Sequence, residues 1–129
     1  MPVIVIPTPY FKREAKSLMK NYISLKDDLK ALTQSLKDNP RQGDMLSVVP
    51  NIYKVRLAVK SKGKGKSAGV RIITHVEVLA ILEPQNDQES EIKVRLITIY
   101  DKSDYETVDL EVIKEIIEET LEDEQSQNE

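Results

Sequence analysis

The sequence predicts an α+β fold: a small antiparallel β-sheet, an N-terminal pair of helices packed on one face, and a C-terminal helix. Three observations predict it. After a short β-branched run, apolar residues recur at helical spacing in two successive stretches. From Ile52 the period changes to two and holds through the segments that follow. The chain then returns to helical spacing near its end. Helices that come as a pair and then singly, with strands in one run between them, give the order β-α-α-β-β-β-α, a meander rather than a doubly wound sheet.

Each element follows from local chemistry. Pro2 to Ile6 is β-branched and reads as a strand. Thr8 and Pro9 form a helix start, with Thr8 as N-cap and Pro9 in the first turn, where its missing N–H costs nothing. Phe11, Ala15, Leu18, Met19 and Tyr22 make one apolar face, and Asn21 ends the helix. Ser24 opens the second helix, with Asp27 three residues on as a variant capping box. Leu25, Leu29, Leu32 and Leu36 are its inner stripe, and Pro40 stops it because the residue before a proline avoids helical geometry. Arg41 to Asn51 reads as a loop.

In the next strand Tyr53, Val55, Leu57 and Val59 point one way and Lys54, Arg56 and Ala58 the other. Ser61 to Gly69 is a lysine-glycine turn. Val70 to Leu82 is a long strand on which Arg71, Ile73, His75 and Glu77 alternate with Val70, Ile72, Thr74, Val76 and Val78. If the faces align, Arg71 and His75 join Lys54 and Arg56. Glu83 to Ser90 is a polar loop, and Ile92 to Tyr100 is a further strand, expected to be central. Asp109 caps a last helix with Val112, Ile113, Ile116, Ile117 and Leu121 on its inner face.

The 129 residues suit one domain, read as 1–117 with an acidic, frayed tail over 118–129. There is no cysteine, which excludes disulfides, thiol nucleophiles and thiolate metal sites. No apolar run is long enough to span a bilayer, and the proline-broken N-terminus lacks the basic lead of a secretory signal. The expectation is a soluble, cytoplasmic protein. The net charge of −3 conceals an asymmetry. From Glu106 to Glu129 ten residues are acidic and one, Lys114, is basic; the rest carries 18 basic and 12 acidic. Such an acidic helix is ordinarily a solvated outer face with an apolar seam; the alternative reading is that its charge masks or tunes the basic surface.

The stretch Tyr53 to His75 holds Lys54, Arg56, Lys60, Lys62, Lys64, Lys66 and Arg71 and no acid. Like charges gathered in one hairpin repel, so an anionic partner is expected, nucleic-acid backbone first. Three readings stay open: a solvated hairpin, a phosphate-backbone site, and a catalytic site built on cations. In the third, one lysine of a mutually depressed cluster serves as acid or base while an arginine stabilises charge on phosphorus. Gly65-Lys66-Ser67 echoes a phosphate-binding loop, but position 60 is lysine where the pattern needs glycine, and a strand rather than a helix follows. His75, the one histidine, reads as a half-exposed strand residue before it reads as a base, and the carboxylates have no metal-ligand spacing. No cofactor and no metal are expected.

These residues carry a resemblance. Phe11-Lys12 with Ala15-Lys16, Asn39-Pro40 with Gly43, Tyr53-Lys54-Val55-Arg56-Leu57, the turn Gly63 to Gly69, Val70-Arg71-Ile72-Ile73 and Ile99-Tyr100-Asp101-Lys102 together resemble a toxin of the RelE/ParE superfamily from bacterial type II toxin–antitoxin systems. The resemblance spans most of residues 4–117. It implies a small antiparallel sheet with two helices on one face, and a ribosome-dependent endoribonuclease that cuts mRNA without metal. It implies a cognate antitoxin as partner, with the ribosome and mRNA as targets and no membrane. Lys54, Arg56 and Arg71 match the family's catalytic cations. Lys102 lies one position before its fourth, where Ser103 stands. The family's tyrosine falls near Asp109, so Tyr105 is taken as the substitute. RNA contacts are expected from Lys60, Lys62, Lys64, Lys66 and His75. In the ParE branch the target is DNA gyrase and no RNA is cut; a member that only binds its antitoxin is the remaining alternative.

Overall fold

In the computed structural model, residues 2–62, 69–80, 90–102 and 109–127 are described. The chain is α+β. Strand β1 (Val3–Pro7) leads into helices α1 (Pro9–Met19) and α2 (Leu25–Asp38). Strands β2 (Asp44–Ser47), β3 (Asn51–Leu57), β4 (Val70–Ala80) and β5 (Ser90–Asp101) follow, and helix α3 (Leu110–Gln127) closes the chain. The strands form one sheet in the order β1-β5-β4-β3-β2.

Two features of the sheet differ from the sequence expectation. The sheet is mixed, not antiparallel, because β1 runs parallel to β5. Parallel neighbours need a crossover, and α1 and α2 are part of the chain that returns from β1. The expected loop over 41–51 contains β2, which pairs antiparallel with β3 through Asp44–Lys54 and Met45–Tyr53. Gly43 makes that strand possible. Its φ of +100° is costly for any residue with a side chain, and a Cβ there would strike the Lys54 carbonyl oxygen. β2 and β3 are joined by a turn containing a cis Val49–Pro50 bond.

The helix starts show how composition becomes geometry. Thr8 Oγ1 accepts from the Phe11 N–H at 3.2 Å and donates to the Leu96 carbonyl at 2.8 Å, so one hydroxyl caps α1 and ties it to β5. The Ser24–Asp27 capping box does not form. Ser24 Oγ instead donates to Asp28 Oδ2 at 2.7 Å, and the same carboxylate oxygen accepts the Lys60 N–H at 3.2 Å. Asp28 is buried and holds the short 3₁₀ turn Lys60–Lys62 against α2.

Both faces of the sheet are covered. On one, Phe11, Ala15, Leu25, Leu32 and Leu36 of α1 and α2 pack on Tyr53, Val55, Ile72, Val76, Val94 and Ile99. On the other, Ile113 and Ile117 of α3 pack on Ile52, Ile73, Ile97 and Tyr100. Val112, expected inside, is 48% exposed. The frayed tail expected from residue 118 is helical as far as Gln127. No described helix is long and apolar enough to cross a membrane.

Candidate nucleic-acid interface

Period-two alternation decides where the cations point. On β3, Tyr53 and Val55 belong to the core under α1 and α2, so Lys54 and Arg56 point to the α3 side. On β4, Val70, Ile72 and Val76 belong to that same core, so Arg71 and His75 also point to the α3 side. The register sets Arg56 directly across from Arg71, and Ile52 across from His75. Lys54, Arg56, Arg71 and His75 therefore share one face.

Their environments differ. Arg56 is exposed and pairs with Asp44 across β2 and β3, Nη1 to Oδ2 at 2.6 Å. With both side chains about half exposed, this pair contributes under about 1 kcal/mol and yields easily to another anion. Lys54 is half-buried beside it. Arg71 is 5% exposed, and its Nη1 donates to the Val70 carbonyl at 3.3 Å. The register thus sets two like charges directly opposite one another on adjacent strands.

Tyr100 was not among the expected site residues, and it stands across β4 and β5 from Arg71. A register shift on β5 puts it there. Ile73 pairs with Thr98 and Thr74 with Leu96, which leaves Ile97 as an extra residue. Ile92, Val94 and Leu96 face α1 and α2; unbroken alternation would send Tyr100 the same way. The bulge turns it to the α3 side, where it packs with Ile113 and Ile117. Burial raises the Tyr100 pKa, opposed in part by the charges of Arg71 and Arg56. The phenol keeps its proton at neutral pH and can donate it.

The remaining expected residues fall elsewhere. Lys102 is exposed just beyond β5, its N–H donating to the Gly69 carbonyl at 3.3 Å, at the same end of the sheet as Arg71. Lys60 is exposed, but its backbone is bound to Asp28 of α2, so the lysine turn starts on the opposite side of the sheet from Lys54. Lys62 ends that 3₁₀ turn. Lys64, Lys66 and Tyr105, with Gly65-Lys66-Ser67, lie outside the described residues.

His75 needs correction. It is neither half-exposed nor available to RNA, because it is 6% exposed and within a buried charge cluster under α3. Arg95, directly across β4 and β5 from His75, is 2% exposed. Its Nε and Nη2 donate to the two oxygens of Glu124 at 2.9 and 2.7 Å. Its Nη1 donates to Glu77 Oε1 at 2.9 Å and lies 3.4 Å from His75 Nδ1. Burial, and then the Arg95 charge, push the His75 pKa below the ordinary imidazole value. Burial alone would lower the Arg95 pKa, but its bonds to Glu124 and Glu77 raise it instead. The Arg95 hydrogen bond holds the Glu124 carboxyl below the usual carboxylate range. Arg95 and Glu124 were missed in the sequence, where an arginine on a strand and a glutamate in an acidic run carry no signal of being partners.

Among the described residues no group of three or more His, Cys, Asp or Glu is arranged to hold a metal ion. No protein-family model matches the chain, and no curated protein matches it.

Proposed function

We propose that this chain is an RNA-cleaving toxin of the RelE/ParE kind, held in check by an antitoxin and acting on mRNA at the ribosome. The observation that carries the reading is the row Arg56–Arg71–Tyr100, three side chains in register across β3, β4 and β5 with Lys54 beside them. Two guanidinium groups, a lysine amine and a protonated phenol can between them supply the charge stabiliser, the base and the acid that phosphodiester cleavage by 2′-hydroxyl attack needs without a metal. Arg56 positions the phosphate, and the Lys54 amine takes the proton of the 2′-hydroxyl as its oxygen bonds to phosphorus and the bond to the 5′-oxygen breaks. Arg71 stabilises the charge that builds on the phosphorane oxygens. Tyr100, in place of Tyr105, donates a proton to the departing 5′-oxygen. Lys102 supports the neighbouring phosphate. A helix pair on the far side of the sheet agrees with the fold this resemblance implies, and the mixed sheet departs from it.

The burial of Arg71 favours one other reading, a member that binds its antitoxin and cuts nothing. Primer extension on mRNA during expression separates the two. The first predicts cuts at defined codon positions, lost in Arg71→Ala and Tyr100→Phe, with growth arrest lost in parallel. Full toxicity in Arg71→Ala and Lys54→Ala together refutes the site assignment. Growth arrest without cuts, accompanied by loss of gyrase supercoiling, moves the protein to the ParE branch.

A further inference from the structure

The two helical layers carry opposite charge. On one side of the sheet, α3 holds seven acidic residues and one basic, Lys114. On the other side, Lys12, Arg13, Lys16 and the capping Lys20 of α1, Lys26, Lys30 and Lys37 of α2, and Arg41 beyond it are all exposed. The same stretch has four acids, Glu14, Asp27, Asp28 and Asp38, and Asp28 is buried. At 3.6 residues per turn Lys26, Lys30 and Lys37 fall within about 40° of one line along α2, and Lys12, Lys16 and Lys20 follow one another in four-residue steps. Each helix therefore carries a cationic stripe.

The lysine turn joins this layer. The Ser61 N–H donates to Ser24 Oγ at 2.8 Å and the Lys60 N–H to Asp28 Oδ2 at 3.2 Å. The turn is thus pinned to the start of α2, and it adds the exposed Lys60. Among the described residues none of these nine cations is in an ion pair, whereas Arg56 and Arg95 on the α3 side each have a carboxylate.

The net charge of −3 does not describe what a polyanion meets at this layer. Packed layers lie about 10 Å apart, which puts α3 about 20 Å from α1 and α2. The screening length at 0.1 M ionic strength is about 10 Å, so the acids of α3 are screened there and the cations act alone. Seven of the nine are lysines. Lysine is a compact point charge that suits phosphate oxygens, and protein–protein interfaces deplete it. Held on two helices and a pinned turn, these charges match a backbone whose phosphates are also fixed in place.

We propose that the α1–α2 layer with Lys60 is a docking face for the phosphate backbone of double-stranded RNA. It lies across the sheet from the Arg56–Arg71–Tyr100 row and shares no residue with it. The proposal goes beyond the cleavage reading, because it stands on other residues and needs no bond to be cut.

The test titrates the full chain with a fluorescent RNA duplex at a series of salt concentrations. Neutralising three exposed lysines together, Lys16→Gln, Lys26→Gln and Lys30→Gln, is expected to lower the slope of log affinity against log salt by about three. At about 0.1 M salt the same variant is expected to bind about tenfold more weakly. Lys16→Arg, Lys26→Arg and Lys30→Arg together keep the charge and are expected to keep both slope and affinity. Lys54→Gln with Arg56→Gln is expected to leave the slope as it was. No duplex binding by the unaltered chain at about 0.05 M salt, or wild-type binding by the lysine-to-glutamine variant, overturns the docking face. An equal loss of slope in the Lys54/Arg56 variant returns the binding to the cleavage row and overturns it too. Displacement of the duplex by oligoglutamate, charge for charge, assigns the layer to an acidic protein instead. Each of these failures leaves the mRNA cuts, and with them the cleavage reading, where primer extension puts them.

Discussion

Single residues on the α3 face are set by who their neighbours are. His75 is kept neutral by burial and by the adjacent Arg95 charge. An imidazole whose folded pKa is depressed contributes stability that is complete above its unfolded value, about 6.5, and lost as pH falls below it. The protein is therefore expected to lose stability from about pH 6.5 downward. Glu124, also depressed, adds a loss as the pH falls through the carboxylate range. His75→Gln is expected to flatten the part of the profile between about pH 7 and 5 and leave the more acidic part, measured by urea unfolding at a series of pH values. An unchanged profile in His75→Gln shows that the imidazole does not titrate with folding.

At the scale of elements, β2 depends on the backbone of one residue. Gly43 has a positive φ and lies against the Lys54 carbonyl. Gly43→Ala is expected to cost about 1–3 kcal/mol and to loosen β2, visible as faster amide exchange in Asp44–Ser47. The same strand holds Asp44, which answers Arg56, so the change also frees that guanidinium. Thr8 links elements rather than positions within one, since its hydroxyl serves α1 and β5 together. Its role as a cap was legible from Thr-Pro alone, but its bond to Leu96 is separated by 88 residues and was not. The capping box at Ser24 shows the converse. The local pattern favoured Asp27, but Asp28 faces inward, and the demand of the Lys60 N–H from a distant turn decides the outcome.

For the whole molecule, α3 is part of the core. Ile52, Ile73, Ile97, Ile113 and Ile117 form the second apolar layer, each 3% exposed or less. Burial of these five isoleucines, at roughly 2 kcal/mol each before the entropy of ordering the chain is subtracted, makes the layer a large part of what holds the domain folded. Ending the chain after Asp109 is expected to abolish cooperative thermal unfolding and to produce dye-binding apolar surface. A truncated chain that still melts in one sharp transition shows that the first core, under α1 and α2, suffices. The tail thus reads differently in one and three dimensions. In sequence it is an acidic segment with an apolar seam; in the fold it closes one side of the sheet and carries a carboxylate to a buried arginine.

By itself the sequence determined the elements other than β2, and the side on which the residues of β3 and β4 face, because both follow from periodicity and caps that act within a few positions. The helix pair, the shared side of Lys54, Arg56 and Arg71, and the start of the last helix were all written locally. Tertiary structure alone decided the rest: β1 lies parallel to β5, a bulge carries Tyr100 to the Arg71 row, and Arg95 meets Glu124 beneath α3. The reason is physical. Strand partners, an extra residue in a ladder and a buried ion pair are settled by competition among segments far apart in the chain, and no local pattern records which segment wins.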